Sequence, residues 1–145
     1  MENEAMEDKL LTAAVDLEIP FHDVDSVHIV WHGNYAKYFE IARSALLRKI
    51  NYDIPQMSES GYGWPVVDLQ VKYIKPLKYG HKVKVIATLI EYENRLKVSY
   101  EVINQSDSSI TTKGQTTQLA IEMATGETLF ATPEIFRSKI MALQN

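Results

Sequence analysis

Three of the four histidines in this chain of 145 residues, together with two aspartates, fall in one stretch, Phe21-His22-Asp23-Val24-Asp25-Ser26-Val27-His28-Ile29-Val30-Trp31-His32-Gly33-Asn34-Tyr35. Two carboxylates and three imidazoles so close together could serve a metal, general acid–base work or anion binding. His28 and His32 have the i, i+4 spacing of a helical ligand pair, but the Ile-Val-Trp between them reads as extended or irregular, so no metal site is expected. Asp23 and Asp25 lie on opposite sides of an extended chain, and only one of them can face a shared pocket. The plain alternative for both is a turn in which each aspartate accepts from nearby amides. What favours chemistry is the place of the stretch, just ahead of a helix start. There, free N–H groups and the helix dipole can stabilise a developing oxyanion. A carboxylate beside such donors could attack a carbonyl carbon, or deprotonate a water that does so.

The elements that must position these groups are legible from periodicity. Ala13, Val15, Leu17, Ile19 and Phe21 alternate with polar neighbours and predict a strand ending at about Phe21, with Pro20 near its exit. From Asn34 the period changes. Tyr35, Phe39, Ala42, Leu46 and Ile50 fall on one stripe, which predicts a helix over about 34–50, capped by Asn34 or Gly33 and stopped near Asn51. Residues 51–63 hold Pro55, Ser58, Ser60, Gly61 and Gly63 and read as an irregular loop. Strand alternation returns at Val67–Tyr73, Val83–Leu89, Leu96–Val102 and Thr116–Glu122, separated by breakers at 76–80, 93–94 and 105–109. Pro133 opens a short C-terminal helix with Ile135, Phe136, Ile140 and Leu143 as its apolar residues. Short connections imply antiparallel pairing, and the one long helix must cover the buried face. The expected fold is therefore α+β, a curved five-stranded antiparallel sheet wrapped around a central helix.

Composition narrows the function classes. Without cysteine there is no disulfide framework, thiolate metal site or thiol nucleophile, and the net charge of −4 argues against nucleic acid as a partner. The segment Met1 to Thr12 carries acids and only a two-leucine apolar run, which fits neither a secretory signal nor a membrane span. The expectation is one cytoplasmic domain over 1–145. Between Leu69 and Ile90 stand Lys72, Lys75, Lys78, Lys82, Lys84 and His81 with no acidic residue. Such a patch could hold the phosphates of a coenzyme A tail or steer an acidic carrier protein, or it could simply solvate strand faces and guard an edge.

The stretch from Asp23 to Tyr35, continued by Ala36-Lys37-Tyr38-Phe39-Glu40-Ile41-Ala42-Arg43, resembles the signature of hotdog-fold acyl-CoA thioesterases of the 4-hydroxybenzoyl-CoA thioesterase and YbgC type. That pattern is approximately D-x-D-x-x-G-I/V-V-x-H/Y-x-N-Y followed by an aromatic-acidic-x-A-R helix. The resemblance implies that Asp25 is the catalytic aspartate and that the backbone N–H of His32 polarises the thioester carbonyl. Asn34 and Tyr35 would support the helix start and the pocket wall. With Trp31 and the lysines Lys72, Lys75 and Lys82 they complete the expected substrate-binding set. It further implies an acyl-CoA or acyl-carrier-protein substrate, no metal or organic cofactor apart from coenzyme A itself as part of the substrate, no membrane partner, and a homodimer or homotetramer with its sites at the interface. One departure stands out: the usual glycine three residues after the aspartate is His28. If that glycine serves a positive φ or a close approach of substrate, His28 must alter the loop or add chemistry of its own. Glu40 matches the glutamate of a related branch, but its i, i+3 spacing to Arg43 favours an ordinary ion pair. Two other readings stay open: a non-catalytic acyl-thioester or carrier-binding module, and a dehydratase or hydratase of the same fold, whose usual Phe-Pro-Gly context is absent.

Overall fold

A computed structural model of the chain describes residues 11–144. Most of the acidic opening segment considered above lies outside the described residues. Strand β1 (Thr12–Glu18) keeps the expected alternation, with Ala13, Val15 and Leu17 turned inward. It ends before Phe21. Ile19 still makes two backbone hydrogen bonds, to His81 O and from Gly80 N, both 2.9 Å, but Pro20 has no N–H to give and the chain turns into a 3-10 turn over Phe21–Asp23. A second 3-10 turn, His32–Asn34, runs directly into the long helix α1 (Tyr35–Arg48). The predicted stripe is its buried face, Ile50 sits buried just beyond its end, and Asn51 adopts a left-handed φ of 54° that closes it. Asn34 occupies the helix start without capping it through its side chain, which is used elsewhere.

Residues 51–63 are more ordered than a loop. They contain a short helix α2 (Ile54–Ser60), with Pro55 in its first turn and the Asp53 N–H donating to Gln56 Oε1 at 3.0 Å. Met57 is its one buried residue, so no periodic apolar face betrays it. The two-residue strand β2 (Tyr62–Gly63) follows. Then come β3 (Val66–Tyr73), β4 (Lys82–Glu91) and β5 (Leu96–Asn104), close to their predicted positions. The last long strand is displaced from the expected 116–122. It is β6 (Ser109–Gln118), and a separate two-residue strand β7 (Ile121–Glu122) pairs with β2. The main sheet has the order β1-β4-β5-β6-β3, every neighbour antiparallel, so β1 and β3 are its edges.

Helix α1 lies across one face of this sheet. Phe39, fully buried on the helix, stacks on Tyr100 of β5 with ring centroids 4.4 Å apart and planes 7° from parallel. Tyr100 faces Gly114 of β6, where any side chain would enter the Phe39 ring. Helix α3 (Glu134–Gln144) buries Phe136 and Ile140, one turn apart, while Ile135 and Leu143 remain exposed. Phe136 meets Trp64 and Tyr52 at 4.9 and 5.7 Å, closing the end of the core away from the start of α1.

Candidate active site

The chain before α1 is shaped by two aspartates in different ways. Asp23 is buried and ties loop to helix. Its carbonyl accepts the Trp31 N–H at 3.0 Å and Asn34 Nδ2 at 2.8 Å, and its carboxylate accepts Lys37 Nζ and Tyr38 Oη, each at 2.6 Å. Burial pushes the Asp23 carboxyl up, but the hydrogen bonds from Lys37 and Tyr38 and the Lys37 charge outweigh it and hold the group below the usual carboxylate range. The same burial and the bond to Asp23 push the Tyr38 hydroxyl well up. Asp23 thus ties the loop to the helix start on both sides, and Asn34 reaches it there through the Asp23 carbonyl.

Asp25 opens a tight turn. Its N–H donates to Ile29 O at 2.8 Å, its carbonyl accepts the His28 N–H at 2.9 Å, and Oδ1 accepts the Val27 N–H at 2.9 Å. The turn-forming reading of Asp25 therefore holds, and the bond to Val27 engages Oδ1 alone. His28 has φ 68°, in the left-handed region that histidine adopts at some cost and glycine at none. His28 thus holds the backbone conformation that the glycine of the resembled pattern would adopt without cost. The flanking Val24 and Val30 form a β-bridge, and the Val30 N–H donates to Leu77 O at 2.8 Å, which fastens the turn to the segment after β3.

A cavity of about 340 Å³ opens at this place. Asp25 and His32 line it from the loop, Tyr35 from the first turn of α1, and Tyr73, Ile74 and Lys75 from the end of β3. The amides of His32 and Gly33, the first of the turn leading into α1, donate to no acceptor among the described residues. Burial pushes the Tyr35 hydroxyl up, so it stays protonated on the cavity wall. Tyr73 donates its hydroxyl to the His32 carbonyl at 2.8 Å. A carboxylate, free helix-start amides and a largely apolar wall are the parts that addition to a carbonyl group needs.

The other expected site residues are placed differently. Trp31 is half exposed outside the cavity lining, and its ring covers Gly33 so closely that a Cβ there would lie 2.2 Å from it. Of the three expected lysines, Lys75 lines the cavity and Lys72 and Lys82 do not. Lys72 pairs across the strands with Lys113, Lys82 stands opposite Glu18, and Lys84 lies 3.6 Å from Asp16. The run that looks continuous in sequence is thus divided between two regions of the sheet, and two of its charges face acids. Glu40 forms no ion pair with Arg43, which donates instead to Tyr100 Oη at 3.3 Å. Glu40 and Arg43 line a second cavity of about 240 Å³ with Trp64 and Gln118. Gln118 Nε2 donates to Trp64 O at 2.7 Å and its Oε1 has no partner among the described residues. Sequence pattern does not single out Tyr73 or Gln118 as site residues; one closes a strand alternation, and the other is one of the polar partners in the Thr116–Glu122 alternation. No cluster of three or more His, Asp and Glu side chains that could hold a metal exists among the described residues, and no helix there is long and apolar enough to cross a membrane.

Comparison with known proteins identifies the family and the fold. Over 85 residues, 59% of this chain and 61% of the relative, the sequence is 35% identical to YneP of Bacillus subtilis (strain 168), named as a candidate acyl-CoA thioesterase. A DHNA-CoA thioesterase from Staphylococcus aureus is 30% identical and superposes with a TM-score of 0.76 over 82% of this chain and 80% of its own. Slr0204, a 1,4-dihydroxy-2-naphthoyl-CoA thioesterase from Synechocystis, shares the fold alone, with 16% identity and a TM-score of 0.81 over 92% and 98% of the two chains. The match to YneP leaves more than a third of that relative's length uncovered. The family model of the thioesterase superfamily matches residues 28–111, more than half of the sequence and including His32 and all of α1. With a five-stranded antiparallel sheet laid over one long helix, as in its hotdog-fold neighbours, the chain belongs to the thioesterase superfamily.

Proposed function

We propose that the protein hydrolyses acyl-CoA thioesters to the free acid and coenzyme A at the cavity before α1. The observation that carries this reading is the meeting of Asp25 with the unpartnered His32 amide in one pocket. In the general-base form, Asp25 takes a proton from water, whose oxygen adds to the thioester carbon. In the nucleophilic form, a carboxylate oxygen of Asp25 adds directly, gives an anhydride, and water then cleaves it. Either way the carbonyl oxygen gains charge, the His32 N–H donates to it, and collapse breaks the C–S bond to expel the thiolate, which takes up a proton. Lys75 at the cavity edge is suited to a phosphate of the coenzyme A tail, and the apolar wall to the acyl group.

The working form is proposed to be a homodimer, or a homotetramer made of two such dimers, joined along β3. This edge strand is exposed along almost its whole length and carries Val67, Leu69 and Tyr73, each about half exposed, followed by Ile74. The Asp25 cavity lies at the last residues of β3, and the Gln118 cavity includes Val66 at its first. Antiparallel pairing of two β3 edges about a two-fold axis would set one cavity of each copy beside the other cavity of its partner.

The test is release of free thiol, followed with a thiol-reactive dye, from aromatic, short aliphatic and long aliphatic acyl-CoAs. The protein has no cysteine and is silent to the dye. Turnover of at least one class is expected. Binding of acyl-CoA without thiol release from any class would refute hydrolysis and favour a binding module.

A further inference from the structure

The cavity wall contributed by β3 holds a residue whose contact is not with the cavity alone. Tyr73 donates its hydroxyl to the carbonyl of His32 at 2.8 Å, across 41 positions of sequence. Its ring is fixed from the other side, edge-on to Tyr35 with centroids 5.2 Å apart and edge-on to the His32 imidazole at 6.4 Å. The strand that carries it is anchored. Tyr73 pairs with Thr112, and the next two amides, Ile74 and Lys75, both donate to Thr111 O at 2.9 and 3.0 Å. His32 is less constrained, since it opens a three-residue turn with no side-chain cap and its own N–H has no acceptor among the described residues.

We propose that Tyr73 is a positioning residue that sets the orientation and donor strength of the helix-start amides, with its phenol holding the His32 carbonyl. This rests on the hydrolase reading above and assigns part of its oxyanion site. The accepted hydrogen bond fixes the plane of the His32–Gly33 peptide, and with it the ψ of His32 and the direction of the Gly33 N–H. A peptide carbonyl that accepts a hydrogen bond is polarised, and its N–H becomes a better donor; hydrogen bonds in series strengthen one another in this way. The His32 N–H belongs to the preceding peptide, so Tyr73 acts on it only through the placement of the His32 Cα that the two peptides share. A donor placed before the reaction begins lowers the barrier without needing to bind the ground state more tightly. The contribution of the Tyr73 hydroxyl is therefore expected in kcat rather than KM. Because β3 is the exposed edge, the same contact ties the amides to the strand along which two copies are proposed to join.

The experiment compares the full chain with Tyr73→Phe, which keeps the ring and its contacts with Tyr35 and His32 and removes only the hydroxyl. Thiol release should show kcat lowered about three- to tenfold, the range expected from one hydrogen bond, with KM within about twofold. The melting temperature should stay within about 2 °C, since the lost bond is half exposed. The Gly33 amide nitrogen and proton resonances should move in Tyr73→Phe, while amides in β4 and β5 should not. Unchanged kcat, a raised KM at unchanged kcat, or an unmoved Gly33 amide would each overturn the proposal. If the unsubstituted protein releases no thiol from any acyl-CoA, the hydrolase reading fails by itself; the Gly33 resonance still decides whether Tyr73 holds this peptide.

Discussion

Replacing Gly114 with alanine should damage the fold through one methyl group. A Cβ at this position would lie 2.3 Å from two atoms of the Phe39 ring and 3.0 Å from Gln70 O. Carbon atoms in contact sit about 3.5–4.0 Å apart, so the methyl overlaps the ring by more than about 1 Å. The ring has little room to retreat, because it is stacked on Tyr100 at 4.4 Å and is fully buried. Nor can the methyl turn aside, because the backbone of β3 closes that direction. Relief requires α1 to move off the sheet, which places the cost at the upper end of overpacking, about 3 kcal/mol. For a domain of this size each kcal/mol lowers the melting temperature by about 2–4 °C, so a drop of about 6–12 °C is expected. Circular dichroism melts of the native chain, Gly114→Ala, Phe39→Leu and the double variant are the assay. The smaller leucine side chain in Phe39→Leu should give the methyl room, so the double variant should fall short of the sum of the single losses by at least about 1 kcal/mol. A Gly114→Ala protein melting within about 1 °C of the native one, or strict additivity, would refute the packing of α1 on β6 described above.

Other outcomes follow from the loop and the edge. Asp23→Asn should cost about 2 kcal/mol at pH 7, since it weakens charge-assisted bonds from Lys37 and Tyr38, the former discounted because Lys37 is half exposed. The folded carboxyl titrates below its unfolded value of 3.8, so this stabilisation is present above that value and is lost as pH falls on through the lower folded value; the difference in melting temperature between the two proteins should begin to narrow below about pH 4 and close only at still lower pH. His28→Gly should keep both turn and hydrolysis, whereas His28→Val should lose about 1–2 kcal/mol by forcing a β-branched residue into left-handed backbone, measured by thermal melts; a folded His28→Gly protein without turnover would mean that the imidazole acts in the chemistry. Leu69→Lys on β3 should shift the protein toward monomer in sedimentation velocity, and an unchanged mass would move the interface away from this edge.

The sequence carries the fold wherever burial follows apolar period. The stripe from Tyr35 to Ile50 and the alternations of β3, β4 and β5 are where hydrophobic side chains fill the core, and they are legible to within a few residues. The expected position of β6 is displaced because its inward positions are threonines and a glycine. Thr111 and Thr116 satisfy their hydroxyls inside the core, on Val102 O at 3.1 Å and Tyr100 Oη at 2.7 Å, so polar residues line a buried face that a hydrophobic count passes over. Helix α2 escapes a periodicity search because seven residues with one buried side chain have no period to read. At the site, the spacing of Asp25 and His32 is legible because both stand in one continuous motif. Tyr73 reaches that motif from a strand 41 residues away, and only the folded chain makes the connection. The lysine run misleads for the converse reason: neighbours along a strand alternate faces, and pairing partners decide which charges remain free.

The most direct measurement of the central claim is kcat/KM for thiol release from the best acyl-CoA by the native protein and by Asp25→Asn, with melts showing that both are folded. Asparagine keeps the size of the side chain and its oxygen acceptor for the Val27 amide, yet can neither attack a carbonyl nor accept a proton from water. A loss of about 100- to 10,000-fold, equivalent to about 2.7–5.4 kcal/mol of transition-state stabilisation, is expected. Turnover within about threefold of the native value in a folded Asp25→Asn protein would contradict the assignment of the reaction to this carboxylate.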